Sequence, residues 1–238
     1  MKNFLTARWQ KLIMANYAID PAILQPFLPK HTEIDLFEGK AYVSLVGFMF
    51  LKTKIFGVPI PFLGNFEEVN LRFYVKRKVG NSTRRGVVFI NETVPYKIVA
   101  LIANWLYKEH YVAVPTKHEW QKNDETQGVN YYWKQAKKWQ FIKLNANLNP
   151  KPMTKGSVEE FIFEHYYGYT KIDETQTEEY KIQHPSWQTY IVNNYEIACD
   201  FENMYGKAFA HLTNETPLSV MLAEGSNIAV KWKRERLR

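Results

Sequence analysis

Strand-length runs of alternating residues, separated by turn signals and only rarely by helical spacing, are the feature that most restricts this chain. "TEIDLFEGKAYVSLVGFMFLKTKI" reads as a hairpin turning at Glu38-Gly39. "NFEEVNLRFYVKR" alternates at period two and pairs with "RRGVVFINE" across the turn "VGNS". Strands recur in "KLIMANYAI", "YVAVPTKHEWQK", "GVNYYWKQ" and "WQFIKLNANL". "EEYKIQHPSWQTYIVNNYEIACDF" adds two more, broken at His184-Pro185, and "PLSVMLAEGSNIAVKWK" a closing hairpin that turns at Glu224-Gly225-Ser226.

Helical signals are few. Asp20 and Pro21 cap a short helix in "DPAILQPFLP", and Ser157 caps another in "KGSVEEFIFEHYYGYTKI" that runs on into a strand. "PYKIVALIANWLYKE" has the spacing of a longer helix, whose stripe Ile98, Ile102 and Leu106 is expected to face the core. Many strands, few helices and no regular βαβ alternation predict a mainly β (α+β) fold, an antiparallel β-barrel or a related α+β domain. No flexible linker or repeat divides the chain, so residues 1–238 are expected to form one domain.

Composition narrows the function. Of the net charge of +7, +4 falls in the last eight residues, "KWKRERLR" (231–238), which reads as a solvated basic terminus. The rest is close to balanced, and the aromatics, 16% of residues, do not repeat as an RNA-stacking signature, so no nucleic-acid partner is expected. A single cysteine, Cys199, excludes an intrachain disulfide and fits a reducing, cytoplasmic compartment. Arg8 and Lys11 interrupt the first apolar run, and nothing approaches a membrane span, so neither a signal peptide nor a membrane partner is expected. The oligomeric state is left open, a homo-oligomer included.

The familiar catalytic patterns are missing. No phosphate loop, dinucleotide fingerprint or nucleophile elbow occurs. Six histidines form neither H-x-H nor H-x-x-x-H, and one cysteine cannot build a zinc site, so neither a metal nor a cofactor is expected.

What remains is a set of motifs in order: "KLIMANYAIDPAILQPFLP", "AYVSLVGFMF", "EEVNLRFYV", "RRGVVFI", "EEFIFEHYYGY", "YKIQHPSW" and "LAEGSNIAV". Together, over about residues 9–232, they resemble the DUF2071 family, the YqjF-like uncharacterised proteins of bacteria. That resemblance implies a fold related to acetoacetate decarboxylase, a barrel whose interior holds a Schiff-base lysine made nucleophilic by burial and a neighbouring cation. By position, His110-Tyr111 stand where the family's Pro-Lys would be. Lys108 and Lys117 lie close by, yet neither fits the motif. The cavity is therefore the inheritance to expect, rather than the decarboxylase mechanism.

On strand 65–77, Glu68, Asn70, Arg72 and Tyr74 share one face, and Val69, Leu71, Phe73 and Val75 the other. The polar face could simply meet water, as Lys76 and Lys78 on the same side suggest. Inside a barrel it would instead wall a cavity, with Glu68 pairing Arg72 and the arginine fork suited to a carboxylate. His165, Tyr167 and Tyr169 share a face in "FEHYYGY", and His184 and Trp187 flank Pro185. The expected ligand groups are Asn70, Arg72, Tyr74, His165, Tyr167, His184 and Trp187, holding a small organic anion or carbonyl compound. Enzyme chemistry, as a lyase, hydratase or isomerase, would fall to Glu68, His165 or Lys108. A third possibility is a purely structural Glu68–Arg72 ion pair.

Overall fold

The computed structural model describes residues 2–107 and 110–237; Lys108 and the Leu106 side chain lie outside what is described. The strands are β1 (Asn3–Ile19), β2 (Glu33–Ile34), β3 (Ala41–Ile55), β4 (Val58–Pro59), β5 (Phe66–Val79), β6 (Ser82–Val94), β7 (Tyr111–Ala113), β8 (Thr116–Lys122), β9 (Thr126–Gln135), β10 (Lys138–Asn147), β11 (Lys151–Pro152), β12 (Tyr167–Lys171), β13 (Thr177–Gln183), β14 (Gln188–Tyr190), β15 (Val192–Ala198) and β16 (Ser219–Leu237). The helices are α1 (Pro21–Leu24), α2 (Lys97–Tyr107), α3 (Val158–Phe163) and α4 (Phe201–Tyr205).

Local signals set the short helices as expected. The Asp20 side chain accepts the Ala22 amide at the start of α1, and Ser157 accepts that of Glu160 at the start of α3. Glu38 and Gly39 both take positive φ (49° and 77°), which closes the turn into β3.

The long strands form one strongly curved sheet in the order β1-β3-β5-β6-β12-β13-β16, and β16 pairs back onto β1. Most pairings are antiparallel; β6 with β12 and β6 with β7 are parallel. A second sheet, β15-β10-β9-β8, covers the outside of this ring. Val69, Leu71, Phe73 and Val75 of β5 face outward into a core shared with Val129, Tyr131, Trp133, Ile142 and Leu144. Glu68, Asn70, Arg72 and Tyr74 face inward and are all buried. Both faces of β5 are therefore covered, and the solvated-face alternative is excluded for residues 68–74.

Three expectations fail. Residues 219–232 form no hairpin: β16 runs straight through Gly225, which takes a φ of +81° while staying in register opposite Gln10 of β1. A Cβ there would stand 2.2 Å from the Trp9 carbonyl oxygen, so the glycine answers a close backbone approach. The basic terminus is not a free tail but the end of β16, where Arg234 and Arg236 pair Glu178, and Glu235 pairs Arg77 and Arg84. Nor is the α2 stripe core: Ile98 and Ile102 are 47% and 42% exposed.

Candidate functional site

The interior of the ring contains a cavity in which the centre of a water molecule can range over about 140 Å³. Its walls are apolar, with Trp9 and Leu12 from β1, Phe48 and Phe50 from β3, Phe66 from β5, and Ile98, Val99 and Ile102 from α2. Polar side chains interrupt this lining: Glu68, Asn70 and Arg72 from β5, Glu92 from β6 and Tyr111 from β7 gather in one cluster, and Thr53 from β3 and Tyr180 from β13 also line it. Strand pairing explains the cluster, because Asn70 lies opposite Glu92 and Glu92 opposite Tyr111.

Asn70 Nδ2 donates to Glu68 Oε1 at 3.0 Å, and the Tyr111 hydroxyl approaches Glu68 Oε2 at 3.5 Å. Arg72 is 9% exposed and joins no ion pair among the described residues. Its Nη2 makes two contacts at the limit of hydrogen bonding, 3.5 Å to the Ile162 carbonyl and 3.5 Å to Met14 Sδ, while Nε has no partner. The expected Glu68–Arg72 ion pair is not formed. Two residues along a strand place their Cα atoms about 6.6 Å apart. Glu68 is engaged by Asn70 and Tyr111, whereas Arg72 reaches the other way, towards α3.

The other residues expected in the site lie behind its wall. Arg72 Cζ stands 5.6 Å from the Tyr74 ring centre, and the Tyr74 hydroxyl is 2.6 Å from Ser44 Oγ, which donates to Asn16 Oδ1. His165 packs against Tyr74, with ring centres 4.8 Å apart, and its Nε2 is 3.5 Å from Asp35 Oδ2. Burial pushes its imidazole down to about 4, outweighing the opposing pull of Asp35, so His165 is neutral near pH 7. Burial alone would raise the Asp35 carboxyl, but hydrogen bonding to His165 and Arg85 outweighs it and holds the group low. His184, also lowered by burial, stacks on Trp187 (4.3 Å) and Tyr166 (4.7 Å). Trp187 Nε1 donates to Ser226 Oγ at 2.8 Å.

Arg72 and His165 meet at the Tyr74 ring, 5.6 Å and 4.8 Å from its centre, whereas His184 stacks with Tyr166 and Trp187. Only Arg72 lines the cavity. Tyr167 does not join them: it packs at the margin of the outer core beneath Arg84, whose Cζ is 5.3 Å from its ring centre. His165 precedes β12, so the strand alternation that suggested a shared face does not extend to it.

Glu92 and Tyr111 were not among the expected site residues. Tyr111 had a signal, since it falls where a lysine motif was sought and missed. No lysine lines the cavity among the described residues. Lys117 is half exposed and pairs with Glu119 at 3.2 Å, away from the cavity. No described helix is long and apolar enough to cross a membrane.

Comparison with known proteins adds the following. The model of DUF2071, a family of uncharacterised conserved proteins, matches residues 6–227. The uncharacterised protein YqjF of Bacillus subtilis is 28% identical over 167 residues, covering 68% of this chain and 65% of its own length. Acetoacetate decarboxylase from Legionella pneumophila superposes with a TM-score of 0.64 at 12% identity, over 99% of this chain and 87% of that one. An acetoacetate decarboxylase-like enzyme from Sphingomonas wittichii gives 0.65 at 14% identity, over 100% and 94%. The enduracididine biosynthesis enzyme MppR, complexed with pyruvate, gives 0.65 at 10% identity, over 100% and 91%. At such identities the likeness establishes the fold.

Proposed function

Since this chain belongs to the DUF2071 family and has the acetoacetate decarboxylase fold, its own cavity must carry the functional argument, and we propose that it binds a small lipophilic carboxylic or keto acid there. The aromatic and aliphatic walls take the apolar body, and Arg72 takes the carboxylate or carbonyl. The observation that carries this reading is the state of Arg72: a buried cation, facing a cavity, with no counter-ion among the described residues and an unsatisfied Nε. A buried charge left without a partner costs several kcal/mol, and a planar guanidinium offers a carboxylate two parallel hydrogen bonds. An apolar cavity with a few convergent polar groups is the usual form of a small-molecule site. A fold neighbour complexed with pyruvate, a keto acid, supports the same ligand class. The lone cysteine agrees with a cytoplasmic setting.

A second reading, an enzyme of the lyase, hydratase or isomerase type, rests on Glu68 and Tyr111, which together offer a carboxylate and a phenol inside the cavity. Glu68 would move the proton and Tyr111 would steady the oxygen. His165 is set aside for this role because it lies behind the wall.

A thermal-shift panel of aliphatic, aryl and 2-keto acids against wild type and Arg72→Met tests the binding reading. A ligand at about 100 times its Kd stabilises the native state by about 2.7 kcal/mol. Stabilisation of wild type that disappears in Arg72→Met is expected. If no acid shifts wild type, or if the variant responds equally, the anion site is wrong. Conversion of a bound acid that is lost in Glu68→Gln would move the assignment to the enzyme.

A further inference from the structure

Four separate segments meet on one side of the cavity, and three of them leave large apolar side chains in the open. The loop after β3 contributes Phe56, Val58 and Phe62, α2 contributes Ile98, Leu101 and Ile102, and β16 contributes Trp232. Phe62 is 98% exposed and Leu101 66%. Ring contacts tie three segments together: Phe56 lies 5.3 Å from Phe4 of β1 and 5.0 Å from Trp232. The cavity ties in the fourth, because Leu5, Ile55, Ile60, Leu63 and Ile98 line it together. Ile98 and Ile102 line the cavity and are half exposed, so α2 is a thin wall between cavity and exterior.

Among the described residues, the charge on this face has a single sign. Residues 2–6, 51–66, 95–104 and 229–234 contain no aspartate or glutamate, yet they carry Lys2, Lys52, Lys54, Lys97, Lys231 and Lys233. Lys2 Nζ stands 4.9 Å from the Phe56 ring centre, and Lys52 and Lys54 border the same hollow as Phe62. Contiguous exposed apolar surface marks an interaction site. Aromatic and aliphatic side chains rimmed by lysines, with no acid among them, match an interface whose interior is hydrocarbon and whose surface is anionic. A protein partner would be expected to meet some charges of each sign, and a second copy would bring lysine against lysine.

We propose that this face rests on an anionic lipid bilayer, with Phe62 and Leu101 entering the headgroup region and the lysines engaging acidic headgroups. Sequence and structure show no spanning helix, and lying on a surface requires none. The face surrounds the thin wall of the cavity, so a lipophilic acid partitioned in the bilayer would reach the interior without crossing water. The docking itself stands on the surface alone and does not depend on what the cavity holds.

Co-sedimentation of the full chain with vesicles tests it. Vesicles of equal parts phosphatidylglycerol and phosphatidylcholine should retain the protein, and pure phosphatidylcholine should retain far less. Raising salt to about 1 M, where the Debye length is about 3 Å, should release it. Phe62→Asp and Leu101→Asp replace exposed side chains that do not line the cavity, so folding and ligand response should persist. Each should lower partitioning roughly tenfold or more. Trp139→Asp, on β10 of the second sheet, should not change it. No retention on the anionic vesicles at low salt overturns the proposal. So does retention that both variants leave intact, or a dimer in light scattering that Phe62→Asp dissolves, which would make the face a self-association surface.

Discussion

Replacing Arg72 by methionine separates a ligand site from a structural ion pair, because the two predict stability changes of opposite sign. An arginine held by a buried carboxylate would cost about 3–5 kcal/mol to remove, since its partner would be left charged and alone. Here no carboxylate among the described residues pairs with Arg72. The losses are the two 3.5 Å contacts of Nη2, one to the Ile162 carbonyl and one to a thioether, and the contact of the guanidinium with the Tyr74 ring at 5.6 Å. The gain is relief from an uncompensated cation with an unsatisfied Nε. Substituting buried charge by an apolar side chain of similar length is commonly neutral or stabilising by about 1–4 kcal/mol. Methionine fills less volume than arginine and so enlarges the cavity, which places the expected change between zero and about 2 kcal/mol in favour of the variant. For a chain of this length each kcal/mol moves Tm by about 2–4 °C. Urea unfolding and calorimetry, both without ligand, read this directly. The Arg72–Glu68 coupling in a double-mutant cycle with Glu68→Gln should stay below about 0.5 kcal/mol. A variant less stable by about 3 kcal/mol or more, or a large coupling, would refute the claim that Arg72 is uncompensated.

Other outcomes follow from the same geometry. The folded pKa of His165 is near 4 against 6.5 for an ordinary histidine, so the unfolded chain binds the extra proton first as pH falls. Its contribution, on the order of 3 kcal/mol, is complete above about pH 6.5 and is lost as pH falls towards 4. His165→Phe should flatten that part of a Tm-against-pH curve, and an unchanged slope would show that His165 does not titrate this way. Gly225→Ala should destabilise by roughly 3 kcal/mol or more, since its Cβ meets the Trp9 carbonyl and its φ is left-handed; a wild-type urea midpoint would show that β1 can shift aside. Glu179→Gln removes the buried one of two carboxylates shared by Arg77 and Arg84 and should cost roughly 2–3 kcal/mol, below the fully buried value because Arg84 is partly solvated and Glu235 still pairs both arginines. Differential scanning calorimetry checks that value, and an unchanged Tm would rule out a stabilising network.

The sequence made local features legible and left the distant ones ambiguous. Period-two alternation on β5 correctly separated Glu68, Asn70, Arg72 and Tyr74 from their neighbours, because side-chain direction on a strand is a property of adjacent residues. The Asp20 and Ser157 caps are similarly local. What lies opposite is not. Glu224-Gly225-Ser226 carries the same signal for a turn as for a strand whose glycine lets a neighbouring backbone come close. The difference is made by β1, which runs alongside with its own irregularity at Lys11 (φ 54°) and holds β16 straight. The α2 stripe announced an apolar face without saying whether packed core or an open cavity stands behind it. His165 could not be placed, because alternation ends where β12 does. Tyr111 stood out in the sequence only as the place of a missing lysine motif; its part in the cavity comes from the parallel pairing of β7 with β6, a contact no local pattern encodes.

The pairing of β1 with β16 also has a consequence for how the molecule comes into being. Thr6 lies opposite Ala229, so the earliest long strand waits for the latest one before its free edge is covered. During synthesis, β1, β3, β5 and β6 can pair in succession as they emerge, but the ring cannot shut until β16 arrives. Contacts between such distant parts of a chain slow folding, and an open edge invites pairing with another chain. The stage most exposed to aggregation is thus a nearly complete protein, open along a single seam, with β1 bare.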